Sequence, residues 1–211
     1  MLAAAYNLFD ELVWIAALNG LILLHSVLGG LLLGVGPSLV AASTLVRKRQ
    51  SGEQVRMFRD FWNEYRSEFT RVNAIALPTT LALGALALSW NYFATGNDLV
   101  SNVLSVIAAV VLVVAIGITS IAVPLSSHYD IPARRVIPAA LAIALSSPLL
   151  LILSLAIIAA AVTLTYTLPG LLPFFTFGAV SYVTTRLALD FFNRNEKRLA
   201  AASAANHSHS P

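Results

Sequence analysis

Between Leu12 and Val46 no Asp, Glu, Lys or Arg interrupts the chain. As a single helix this block would extend ~50 Å at ~1.5 Å per residue, well beyond the ~30 Å of a hydrocarbon core. It therefore reads as membrane-embedded and as divided. Glycine weakens a helix and proline removes one of its hydrogen bonds, so Gly34-Val35-Gly36-Pro37 is the expected break. The reading is a span over residues 12–33, then a continuing or kinked helix over 38–49 that emerges into the cytoplasm. Only 11% of the chain is charged, against ~25% in soluble domains. That is too little to coat a water-facing globule of this size.

Four further apolar blocks follow, at about 74–93, 99–125, 136–163 and 171–189. Each is long enough to be read as a transmembrane helix. The fold class expected is all-α: a polytopic bundle of about five spans forming one domain over 1–192, with a polar, disordered tail over 193–211. Met1 to Glu11 carries no basic residue, so no cleavable signal peptide is expected.

The charges orient the bundle. Arg47, Lys48, Arg49, Arg56, Arg59, Arg66 and Arg71 lie between the first and second blocks. Arg134 and Arg135 lie between the third and fourth, and Arg186, Arg194, Lys197 and Arg198 at or after the end of the fifth. These are all 13 Lys and Arg of the chain. Basic residues in short loops favour the cytoplasmic side. Five spans with the N-terminus outside and the C-terminus inside, in a bacterial cytoplasmic membrane, place every one of them there. Asp10, Glu11 and Asp98 are then left on the outer side.

Residues 53–72 form the long polar stretch within this pattern. Val55, Phe58, Trp62, Tyr65, Phe69 and Val72 recur at steps of three and four, an apolar stripe on a helix, and Phe61 widens it. Phe58, Phe61, Trp62, Tyr65 and Phe69 are the candidate interaction surface. Three occupants suit such a face: the headgroup layer of the bilayer, the protein's own cytoplasmic helix ends, or a groove on a partner.

Ionisable groups at bilayer depth are functional candidates by default. His25 is the one placed in the middle of a block, as a hydrogen-bonded packing residue or as a proton or substrate position. Asn19 lies six residues earlier, on another helix face. Arg186 and Asp190 are spaced i,i+4 near the inner end of the fifth block and form a candidate structural pair. Gly30 and Gly34 have the small-xxx-small spacing that lets a second helix approach. His207 and His209 are two ligands on a tail, a poor metal site.

No Walker loop, Rossmann fingerprint or zinc-protease helix is present. The chain has no cysteine, and no set of carboxylates, or of Ser, His and Asp, is suggested by spacing. No catalytic, cofactor-binding or metal residue is expected, and no enzymatic activity. The basic residues are interleaved with acids and confined to one membrane face, which argues against nucleic acid as a partner.

Three stretches taken together resemble the YesL family of bacterial integral membrane proteins. They are Gly36-Pro37-Ser38-Leu39-Val40-Ala41-Ala42 leading into Leu45-Val46-Arg47-Lys48, then Phe58-Arg59-Asp60-Phe61-Trp62 with Phe69, and then Pro124-Leu125 followed by Tyr129-Asp130-Ile131-Pro132 and Arg135. They occur in order over roughly residues 12–155. The resemblance implies a multi-span membrane protein and supplies no catalytic residues. Members are often encoded beside sugar ABC-transport systems, which implies an accessory, non-enzymatic role in carbohydrate uptake. ABC-transporter subunits or a membrane sensor would then be partners alongside the lipid bilayer. The alternative is a small transporter or channel subunit for a neutral solute, acting as a homo-oligomer.

Overall fold

A computed structural model describes the backbone of residues 2–208 and the side chains of residues 6 and 8–197. Within these limits the chain is built of helices. α1 is Leu2–Leu28, α2 Val35–Gln50, α3 Met57–Ala94, α4 Leu99–His128, α5 Ala133–Ser146, α6 Pro148–Thr167 and α7 Phe177–Ser208, with a π-helical turn at Leu172–Thr176 before α7. Among the described residues four helices are long and apolar enough to cross a membrane: α1 over Leu8–Leu28, α3, α4 and α6. The chain is thus an all-α membrane-type bundle, but four blocks rather than five meet that standard. The 171–189 block opens with the π-helical turn, and Ser181, Thr184, Thr185 and Arg186 dilute its apolar character.

The first block breaks earlier than expected and in another manner. α1 ends at Leu28, and Gly30 and Leu31 take positive φ of 74° and 58°. Pro37 sits in the first turn of α2, where its missing N–H would lack a partner anyway. α2 does not continue outward but folds back along α1. Arg49 Nη2 reaches Glu11 Oε1 at 3.1 Å and its guanidinium lies 4.7 Å from the Trp14 ring centroid. The expectation that Glu11 and Arg49 lie on opposite faces is therefore corrected, because the chain leaves and returns to one end of the bundle between them. The close approach in this hairpin is Gly29 to Gly34: a Cβ on Gly29 would stand 2.5 Å from Gly34 Cα. The expected partner Gly30 faces open space.

The amphipathic stretch expected over 53–72 is helical only from Met57, leaving Val55 of the stripe outside, and from there it and the 74–93 span are one 38-residue helix, α3. No glycine or proline falls between Met57 and Leu77, so nothing in the backbone ends the helix where its composition changes from polar to apolar. Lys48 pairs with Glu64 at 2.9 Å and ties α3 to α2. Arg71 closes the end of α4: its Nη2 donates to Ser126 O and its Nη1 to Ile131 O, both at 3.0 Å. Carbonyls at a helix C-terminus have no partner inside the helix, so the guanidinium supplies one.

The expected 136–163 span is interrupted. Pro148 disfavours helical geometry at the residue before it, and Ser147 takes φ −139°, ψ 71°. α5, with 14 residues, reaches only ~21 Å and rests on α4 through Val136, Ala140 and Ala144, all buried with Ile121 and Leu125. α6 is the spanning helix of this region. α7 runs on through Ser208, into the stretch read as a disordered tail. Its Ala-rich end, with Ala200, Ala201, Ala202, Ala204 and Ala205, has high helix propensity.

Two buried clusters hold the bundle. One joins Trp14, Leu18 and Ile22 of α1 to Ala41, Leu45 and Val46 of α2, Phe61 and Tyr65 of α3 and Tyr182 of α7. The other joins α4, α5, Leu150 of α6 and Ala188, Leu189 and Phe192 of α7. A hydroxyl chain, buried at Thr185 and Ser43, links three helices: Thr185 Oγ1 donates to Ser43 Oγ at 3.0 Å, and Ser43 Oγ lies 2.9 Å from Ser127 Oγ.

Candidate functional site

His25 and the aromatic helix face, read separately in the sequence, form one nest. The imidazole is 1% exposed. Its Nδ1 lies 2.8 Å from Leu21 O, and a carbonyl only accepts, so Nδ1 carries the hydrogen. The rings of Phe61, Tyr65, Trp62 and Phe58 stand 4.7, 5.2, 5.6 and 6.0 Å from it. Tyr65 OH donates to His25 O at 3.1 Å. Nε2 is buried without a hydrogen-bond partner in the protein.

α3 thus spends part of its aromatic stripe on α1. Phe61 and Tyr65 are buried, and Phe69 packs at the edge of the same cluster. Phe58 and Trp62 remain 62% and 41% exposed, side by side on the outer part of the stripe. Asn19 works elsewhere. Its Nδ2 donates to Pro173 O at 2.6 Å and its Oδ1 accepts from Gly178 N at 2.9 Å, giving partners to backbone groups around the π-helical turn.

The second candidate place is a polar cleft of about 390 Å³ at the end of the bundle that carries Arg49. Glu11 is its hub, taking Arg49 on one oxygen and the Tyr182 hydroxyl, at 2.7 Å, on the other. Arg186 and Asp190 both line the cleft but do not pair. Arg186 Nη1 turns to Tyr182 OH at 2.7 Å, one turn toward the N-terminus of α7. Glu11, Arg49 and Tyr182 were not singled out from the sequence. They lie 38 and 171 positions apart along the chain, so no local spacing could have joined them. His207 and His209 lie outside the described side chains.

At the same end of the bundle, Tyr129 OH donates to Glu196 Oε1 at 2.6 Å. Burial, then the bond and charge of Glu196, push the phenol up to about 12. The Tyr129 hydroxyl and neighbouring His128 hold the Glu196 carboxyl below its usual range.

The chain is 34% identical over 197 residues to the uncharacterized protein YesV of Bacillus subtilis (strain 168), covering 92% of this chain and 93% of that protein. Residues 15–90 match the family described as "Protein of unknown function, DUF624". The chain belongs to the DUF624 family. The DUF624 match takes in the second half of α1, all of α2 and nearly all of α3, hence the whole His25 nest. The polar cleft straddles its limits: Arg49 and Gln50 lie inside, and Glu11, Tyr182, Arg186 and Asp190 outside. No solved structure matches this DUF624 protein.

Proposed function

We propose that this DUF624 protein is a non-enzymatic component of the bacterial cytoplasmic membrane that acts by contact, beside a carbohydrate ABC-type importer. The observation that carries the reading is the division of the α3 aromatic stripe. Phe61 and Tyr65 anchor the helix to α1, while Phe58 and Trp62 stay exposed on a surface already held rigid. Large exposed aromatics on a fixed helix suit a protein contact, because little ordering entropy remains to be lost. The link to carbohydrate uptake rests on the YesL-like motifs.

Orientation follows from the positive-inside tendency. Arg47, Lys48, Arg49 and Arg186 occupy one end of the bundle, and with them the cytoplasmic side takes Glu11 as well. The start of α1 is then inside, where the charge pattern alone suggested outside. Asp98, in the turn between α3 and α4, lies ~35 Å along α3 from Arg71, on the outer side.

A photo-crosslinking residue at Phe58 or Trp62, activated in native membranes, tests the proposal. The expected adduct is a subunit of a sugar ABC importer. Adducts with lipid alone would sink the contact reading. The alternative, a small transporter for a neutral solute, would gain from flux of a solute into liposomes holding only this protein. Against it, the wall of the polar cleft at Val46 belongs to the same buried cluster as Leu18 and Leu45.

A further inference from the structure

The polar cleft holds two cations and two anions, and only part of this charge is neutralised internally. Glu11 is committed on both oxygens, to Arg49 and to Tyr182. Arg186 gives one of its five N–H groups to a neutral phenol. Among the described residues no carboxylate lies within 4.0 Å of Arg186, and no cation within 4.0 Å of Asp190. One guanidinium and one carboxylate, a helical turn apart, therefore face the same cleft unpaired.

Asp190 also belongs to a second space. An apolar groove of about 370 Å³ runs between the start of α6 and α7, lined by Leu149, Leu150, Leu153, Leu187 and Phe191, with Asp190 and Arg194 at its rim. A charged cleft thus adjoins an oily groove at one shared residue, at the first turns of a membrane-spanning helix.

We infer that this composite site holds a zwitterionic phospholipid with a primary ammonium headgroup, its phosphate on Arg186, its ammonium on Asp190 and an acyl chain in the α6–α7 groove. A purely anionic headgroup would bring a like charge against Asp190, which is costly. A small soluble zwitterion would leave the groove unfilled. A quaternary ammonium is best held by open aromatic faces, but Arg49 covers the Trp14 ring and Arg186 the Tyr182 ring, at 4.7 and 5.1 Å. Around Asp190 stand the Gln50 and Asn193 amides, whose oxygens accept hydrogen bonds from a primary ammonium, and on the groove side the Arg194 guanidinium, a second donor for the phosphate. The inference does not depend on an importer partner, so either idea can fail without the other.

The test is native mass spectrometry of the full-length protein in mild detergent. Short-chain phosphatidylethanolamine, phosphatidylglycerol and phosphatidylcholine are added in turn, with free phosphoethanolamine as a fourth arm. Phosphatidylethanolamine should be retained about tenfold better than the other two lipids, about 1.4 kcal/mol at the site. Asp190→Asn should abolish that preference and raise phosphatidylglycerol retention. Arg186→Gln should weaken all three lipids. Both positions are exposed, so the variants should melt close to the parent protein. Equal retention of the three lipids, or variants that leave the preference intact, would overturn the assignment. Free phosphoethanolamine binding as well as the lipid would overturn it in favour of a soluble zwitterion.

Discussion

Arg49 and Glu11 meet at 3.1 Å across the hairpin of α1 and α2, and this contact sets the path of the first fifty residues. It requires the chain to return to the end from which α1 departs. A helix continuing past Gly36-Pro37 would have carried Arg49 a membrane's width away from Glu11.

Side-specific labelling checks that path. The chain has no cysteine, so single cysteines report without background. In sealed, oriented vesicles, Asp10→Cys and Gln50→Cys should react with an impermeant reagent from the same side, and Asn97→Cys from the other. Reaction of positions 10 and 50 from opposite sides would restore the simple five-span path.

The glycines of the hairpin differ in what they tolerate. A Cβ on Gly34 would collide with Ser26 O and stand 2.7 Å from Ser26 Cα, and backbone cannot move aside cheaply. Gly34→Ala should destabilise by about 1–3 kcal/mol. Gly20, in α1 with nothing within 4 Å, should gain about 0.5–1 kcal/mol on substitution by Ala. Unfolding of both variants in mixed detergent micelles reads the contrast, and similar losses at the two positions would contradict the hairpin.

The aromatic stripe should divide in the same way. Phe61 is fully buried, so Phe61→Ala should cost about 3 kcal/mol or more. Phe58→Ala should stay within about 0.5 kcal/mol of the parent protein. Tyr65→Phe removes the hydroxyl donated to His25 O and should cost about 1 kcal/mol. A Phe58→Ala loss as large as that of Phe61→Ala would mean that the docking face of α3 is assigned to the wrong residues.

The Tyr129–Glu196 bond gives a pH signature with two limbs. The phenol is raised, so its protonated form favours the folded state. That contribution is fully present below the ordinary tyrosine value of 10 and is lost as pH climbs toward about 12. The carboxyl is lowered, so its contribution is present above the usual carboxylate range and is lost as pH falls through its depressed value. Tyr129→Phe should weaken the alkaline limb of stability and remove the latest-titrating part of the tyrosinate absorption. An unchanged alkaline profile in that variant would count against the bond.

Composition and hydropathy alone determined that the protein is helical and belongs in a membrane, because apolar runs of this length have no other solvent. The period of the α3 stripe likewise picked out Phe58, Phe61, Trp62, Tyr65 and Phe69 before any neighbour was known. Helix ends were legible only where local chemistry sets them, as at the Asp98 cap, where Ser101 N donates to the carboxylate at 3.1 Å. The break at Ser147-Pro148 has an equally local cause, but the apolar run continues across it, so hydropathy does not register it. Tertiary structure decided the rest. Whether α2 continues or folds back depends on Leu18 and Leu45 sharing one buried cluster and on Glu11 meeting Arg49, and such pairings leave no trace in local periodicity. The same holds for Arg186, whose i+4 carboxylate was the nearest ion partner along the helix. Packing brought Glu11 to Tyr182 from a distant part of the chain, and the guanidinium followed the phenol. Local spacing limits which side chains can meet, and the fold selects among them by which faces it buries together.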